Sequence, residues 1–260
     1  MRPDPRTGES LPLLVRLMQR LLAPDGCPWD RAQTLATLKA YLIEESYEVC
    51  EAIDEDDHEA LCEELGDVLL QVVFQSEIAR SKGWFGPDDV IAAICEKLER
   101  RHPHVFGEVV AETPEQVKDN WEKLKAEERG SARGVLAGVP ASLPALLAAT
   151  RVTEKAAQVG FDWPDARDAR RKLDEEVGEL DRAIEADDRP AIEDEIGDVL
   201  FTVVNVARKL GVNPEDALRA TTRKFKDRFG YIEEAVEARG KTLEECTLEE
   251  LDALWDEAKR

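Results

Sequence analysis

Apolar residues along this chain recur at steps of three and four. The spacing holds over 36–54, 58–82, 87–103 and 114–128, and again over 142–158, 168–186, 190–211, 214–239 and 247–259. Such steps line one face of an α-helix, whereas a strand alternates every second residue. No clear period-2 stretch interrupts the pattern, so it predicts an all-α protein. The polar punctuation agrees. Asn213-Pro214 reads as an N-cap followed by proline in the first helical position, and Thr247 with Glu250 as a capping box. Gly83 and Gly211 fall where helices should end.

The helical pattern repeats itself. EESYEVCEAIDEDDHEALCEELGDVL (44–69) aligns without a gap on EEVGELDRAIEADDRPAIEDEIGDVL (175–200), at an offset of 131. Glu44, Glu45, Glu48, Glu64 and Asp67 fall on Glu175, Glu176, Glu179, Glu195 and Asp198. PDDVIAAICEKLERR (87–101) matches PEDALRATTRKFKDR (214–228), pairing Lys97 with Lys224 and Arg101 with Arg228. TPEQVKDNWEKLK (113–125) matches TLEELDALWDEAK (247–259), pairing Trp121 with Trp255 and Lys125 with Lys259. Between the copies runs a Gly-, Ser-, Ala- and Pro-rich stretch, 129–146, with the composition of a linker. The expected organisation is two helical domains, 1–134 and 135–260, each carrying one copy of the module.

What each copy repeats most faithfully is acid. A helix turns ~100° per residue, so Glu44, Glu45 and Glu48 project within a narrow sector. Glu64 and Asp67, three apart, share a face of the next helix. IDEDDHEA between them can turn the chain into a hairpin, which would converge up to five carboxylates on one space. Left bare, like charges so close raise one another's pKa and oppose folding. A hard divalent cation resolves the conflict: Mg²⁺ prefers oxygen ligands and is commonly held by a few carboxylates plus phosphate and water. Carboxylates on facing helices are a known metal-site design; the di-iron version adds a Glu-x-x-His that neither copy has, which favours Mg²⁺ or Mn²⁺. A single Glu-rich helix is more often only a solvated face; the duplication, with EExxE and ExxD at equal separation, favours metal. Gly66 and Gly197, poor helix formers inside each ExxD helix, suggest close approach of another group.

Composition narrows the chemistry further. The formal net charge is -22, which repels nucleic acid backbones and anionic membranes. Against that background, recurring Lys97/Arg101 and Lys224/Arg228 pairs fit a clamp for a triphosphate better than a random surface. Trp121 and Trp255 could stack on a base or simply pack. The segment LPLLVRLMQRLL (11–22) carries Arg16 and Arg20, which spoil a secretory leader, and no apolar run approaches a membrane span. Five cysteines without a CxxC pair read as reduced thiols of a cytoplasmic protein. No P-loop, GxGxxG, GxSxG or HExxH is present, and His58, His102 and His104 form no ligand pattern.

EExxE followed by ExxD on paired helices, in tandem, with CPWDRAQT (27–34) before the first copy and VGFDWPD (159–165) before the second, resembles the MazG family of all-α nucleoside triphosphate pyrophosphohydrolases. The resemblance covers nearly the whole chain. It implies a homodimer whose four-helix active sites form on dimerisation. It also implies Mg²⁺-dependent cleavage of NTP and dNTP to monophosphate and pyrophosphate, used to clear excess or aberrant nucleotides. Carried over, Glu176, Glu179, Glu195 and Asp198 would hold metal, with Glu175 near the attacking water or a second metal. Lys172, Lys224, Arg228, Trp255 and Lys259 would contact nucleotide. In the first copy the same roles fall to Glu45, Glu48, Glu64 and Asp67, to Glu44, and to Lys97, Arg101, Trp121 and Lys125. Lys172 aligns with Tyr41, so one cation is missing from the first copy, and the second site ranks higher. Two other classes stay open. A non-catalytic nucleotide or metal sensor would bind nucleotide without releasing pyrophosphate, and an acidic interaction scaffold would be indifferent to Mg²⁺.

Overall fold

The computed structural model describes residues 10–107, 109, 111, 113, 116, 117, 120 and 134–259. All regular structure among them is helical, and the chain divides into two compact units, 1–128 and 129–260. The first unit contains α1 (Leu11–Leu22), α2 (Pro28–Ala32), α3 (Leu38–Asp54), α4 (His58–Ser81), α5 (Pro87–Arg101) and the short α6 (Pro103–Phe106). The second contains α7 (Ala145–Gln158), α8 (Ala166–Glu185), α9 (Arg189–Lys209), α10 (Pro214–Ala238), a 3₁₀ turn at Leu243–Glu245 and α11 (Leu248–Glu257). Helices α1 and α2 lie outside the elements expected from periodicity. The expected helix over 114–128 falls largely outside the described residues.

Each unit is organised around one helical hairpin, α3–α4 in the first and α8–α9 in the second. Both turns use the same device. Asp56 and Asp187 adopt positive φ (56° and 52°), and the next residue donates its N–H to the carbonyl five back: Asp57 to Ala52 at 3.0 Å, Asp188 to Ala183 at 3.2 Å. This satisfies the last carbonyls of one helix and reverses the chain. The residue that closes one helix opens the next: Asp57 accepts from the N–H groups of Glu59 and Ala60, and Asp188 from Ala191. The caps expected at Asn213 and Thr247 are present, and Gly83 and Gly211 take positive φ at helix ends.

In the first unit α1 lies on α4, and Met18 joins Leu38, Val73, Phe74 and Ile78 in a core. Leu11, Leu14, Val15 and Leu22, the apolar face of α1, pack against it. In the second unit α7 packs on α9 and α10, and α11 on α10. Ile232, Val236 and Leu254 form the buried centre there, with Leu251 and Trp255 against it. In the first unit the core sits at the end of the hairpin away from the turn, at Leu38 of α3 and Val73, Phe74 and Ile78 of α4. That leaves the turn-proximal half of each hairpin free to carry charge. Among the described residues no helix is long and apolar enough to cross a membrane.

Candidate metal and nucleotide site

Both hairpins gather acid as the spacing predicts. Glu45 and Glu48 on α3 meet Glu64 on α4, and Glu176 and Glu179 on α8 meet Glu195 on α9. In each group one carboxylate oxygen per residue lies within 4.8 Å of the others. Helical geometry explains the register: i and i+3 share a face, and the short turn sets the facing helix opposite it. Asp67 and Asp198 stand outside these tight groups but close enough to act on them electrostatically. Burial, a hydrogen bond with Glu48, and the charges of Asp67, Glu48 and Glu64 push the Glu45 carboxyl above its ordinary value. Burial first, then Glu48 and Asp67, does the same to Glu64. Burial, then Glu179, Glu176 and Asp198, raises Glu195. The clusters are thus electrostatically strained in the way that a cation relieves.

The residues present fit a divalent metal. Each cluster offers oxygen ligands alone, from two helices, at a spacing one ion can bridge. Glu195 Oε2 is buried without a hydrogen-bond partner, a lone pair that an ion could satisfy. Glu176 is buried, at 5% exposure, although it carries a carboxylate.

The remaining candidates fall into three groups. Glu44 and Glu175 are exposed at the edge of their clusters, and Glu175 accepts a bond from Lys172 at 2.8 Å. Lys172 also reaches Glu176 at 2.8 Å, and these two bonds raise its own pKa. On α10 and α11, Arg228 lies over the Trp255 ring at 5.5 Å, Lys259 pairs with Asp256 at 2.7 Å, and Lys224 is exposed. Trp255 leans on Phe225, with ring centroids 5.1 Å apart, so it is partly core and partly presented. In the first unit Lys97 and Arg101 are half-buried on α5, while Trp121 and Lys125 lie outside the described residues.

Two expectations need revision or addition. Among the described residues a Cβ added at Gly66 or Gly197 would meet nothing within 4 Å, so neither glycine is closely approached by them. They face outward beside the half-exposed Leu65 and Ile196. The sequence reading also missed Arg182, whose guanidinium reaches Glu179 at 3.2 Å. The i, i+3 spacing on α8 was the available signal.

Fold and site together define an all-α protein with two carboxylate-lined helical hairpins. Residues 33–106 and 167–231 match the family model of the MazG nucleotide pyrophosphohydrolase domain. The nucleoside triphosphate pyrophosphohydrolase/pyrophosphatase MazG of Thermotoga maritima is 49% identical, over 95% of this chain and 94% of its own. The nucleoside triphosphate pyrophosphohydrolase of Escherichia coli K12 is 43% identical, over 95% and 96%. YabN of Bacillus subtilis is 47% identical over 94% of this chain, which spans 50% of YabN. The chain belongs to the MazG family of nucleotide pyrophosphohydrolases.

Proposed function

We propose that the protein hydrolyses nucleoside and deoxynucleoside triphosphates to the monophosphate and pyrophosphate with Mg²⁺, for which Mn²⁺ substitutes, and so clears unwanted nucleotides from the cytoplasm. The observation that carries this reading is the duplicated convergence of three glutamates from two helices, Glu45/Glu48/Glu64 and Glu176/Glu179/Glu195. Asp67 and Asp198 complete each ligand set. When bound, the cation supplies charge neutralisation at phosphate oxygens and a more acidic water. Glu175, and Glu44 in the first copy, take the proton of the attacking water. Lys172, Lys224, Arg228 and Lys259 balance the triphosphate charge, and Trp255 offers its ring to the base. Lys97, Arg101, Trp121 and Lys125 are the counterparts in the first copy. Developing charge is the main thing such a site must stabilise, so ion and cations together carry most of the rate.

The modules 1–134 and 135–260 work as a homodimer in this reading. Support comes from an apolar stripe left open on each hairpin: Leu65, Leu69 and Val72 on α4, and Ile196, Leu200 and Val203 on α9, each 39–52% exposed. Their i, i+4, i+7 spacing is that of a helix face seeking partner helices. The open space at Gly66 and Gly197 lies along the same stripe. Sedimentation of the full chain as a monomer at micromolar concentration would remove the dimer.

The activity is tested by incubating the full chain with a panel of NTPs and dNTPs, with Mg²⁺ and with EDTA, and separating the products. Monophosphate plus pyrophosphate, lost in EDTA and in a Glu45→Gln/Glu176→Gln chain of unchanged circular dichroism, is expected. Orthophosphate and diphosphate would refute the bond assignment. Undiminished turnover in the double variant would refute the site.

A further inference from the structure

The two carboxylate clusters are built alike but neutralised differently. In the second, Lys172 Nζ lies 2.8 Å from a carboxylate oxygen of Glu175 and 2.8 Å from one of Glu176. Arg182 reaches Glu179 at 3.2 Å. Two of the three converging glutamates therefore hold a cation donated by their own helix. The aligned positions 131 residues earlier are Tyr41 and Glu51. Tyr41 packs against the core of its unit and makes a T-shaped contact with Trp29, ring centroids 5.9 Å apart. Glu51 adds a negative charge where Arg182 supplies a positive one.

A divalent ion entering the second cluster must take oxygens that the lysine already holds. Lys172 has a flexible stem and can leave, but its charge then needs a new partner. A triphosphate brought in with the ion provides one. Neither aligned position of the first cluster carries a cation, so an ion entering it displaces no counterpart of Lys172 or Arg182.

We propose that Lys172 and Arg182 are resident counter-ions of the second cluster, so that this site takes its divalent cation together with a triphosphate that accepts the displaced Lys172, whereas the first cluster takes a divalent cation alone. This rests on the glutamates being metal ligands, as proposed above. Lys172 thereby acts as a positioning residue that ties ion loading to substrate arrival. The two copies become a cation-holding site and a substrate-gated site on one chain.

Mn²⁺ binding, read from the loss of the free-ion electron paramagnetic resonance signal, tests this on the full chain. It is measured with and without a triphosphate bearing a methylene bridge between the α and β phosphorus. Glu48→Gln disables the first cluster and Glu195→Gln the second, so each can be read alone. Without nucleotide, the Glu195→Gln chain should bind Mn²⁺ more tightly than the Glu48→Gln chain. Adding Lys172→Met to Glu48→Gln should tighten binding of Mn²⁺ alone about ten- to thirtyfold, the effect of deleting a unit charge roughly 4 Å from a divalent ion in solvated surroundings. It should also shrink the gain from the analogue. Lys172→Arg, which keeps the cation, should behave as its parent. Arg182→Met should act in the same direction but more weakly, its side chain being 68% exposed. If Lys172→Met leaves Mn²⁺ affinity unchanged or weaker while the analogue still tightens it, the counter-ion role is wrong and the metal site stands. If no chain binds Mn²⁺ under either condition, both readings fall.

Discussion

Asp162 precedes α8 in the chain and ties that segment to the end of α9. Its two oxygens accept from Arg208 at 2.5 and 3.2 Å and from Lys209 at 2.6 Å. The three side chains are only 20, 13 and 17% exposed. Arg208 also donates to the Oδ1 of Asn205, at 3.1 Å. The Arg208 bond, opposed by burial and aided by the Lys209 bond, lowers the Asp162 carboxyl from 3.8 to about 2. That difference corresponds to about 2.5 kcal/mol of preference for the ionised form in the folded chain. The cluster keeps contact with water, and solvent screening reduces the expected cost of Asp162→Asn to about 1–2 kcal/mol at neutral pH. A depressed carboxyl contributes in full above its unfolded value of 3.8, and the contribution is lost as the pH falls through about 2. Urea unfolding of the full chain, followed by circular dichroism, should therefore show a lower midpoint for the variant. The gap should stay constant from about pH 8 to pH 5 and narrow below about pH 4. A gap under about 0.3 kcal/mol at neutral pH, or one undiminished near pH 3, would mean that this ion cluster is only a surface decoration.

Other perturbations probe separate parts of the molecule. Met18→Ala empties a site that is 1% exposed at the α1–α4 contact, and should cost about 2–4 kcal/mol in the unfolding transition of the first unit. Thr247→Ala removes the hydroxyl that accepts from the Glu250 N–H at 3.3 Å, and should cost about 1 kcal/mol at the start of α11, read from the urea midpoint of the second unit. Glu195→Gln should raise the melting temperature of the metal-free chain at neutral pH, because burial and the neighbouring Glu179 and Glu176 disfavour the ionised form of this carboxyl. A raised carboxyl is protonated in the folded state first, so wild type should recover the deficit as the pH falls toward 4.5. A gain that persisted at that pH would contradict the assignment. Added Mg²⁺ should reverse the ranking, favouring wild type, if Glu195 is a ligand.

The sequence by itself determined what is local. The period of apolar residues, the caps at Asn213 and Thr247 and the glycines at 83 and 211 set the helices near where they occur. The duplicated EExxE and ExxD set which faces carry acid, because a fixed rotation per residue converts spacing into direction. Helix α1 was not among the expected elements, although Leu11, Leu14, Val15, Met18 and Leu22 follow the same three–four step. Tertiary structure decided what depends on how one helix rotates against another. It drew Glu45, Glu48 and Glu64 into one group and left Glu44 exposed, although all four lie within a short span of the hairpin. It set Trp255 against Phe225 and joined Asp162 to Arg208 across 46 residues. It also left Gly66 and Gly197 facing open space. The rotation and offset of packed helices follow from the volumes of side chains far apart in sequence, and helical periodicity carries no record of them.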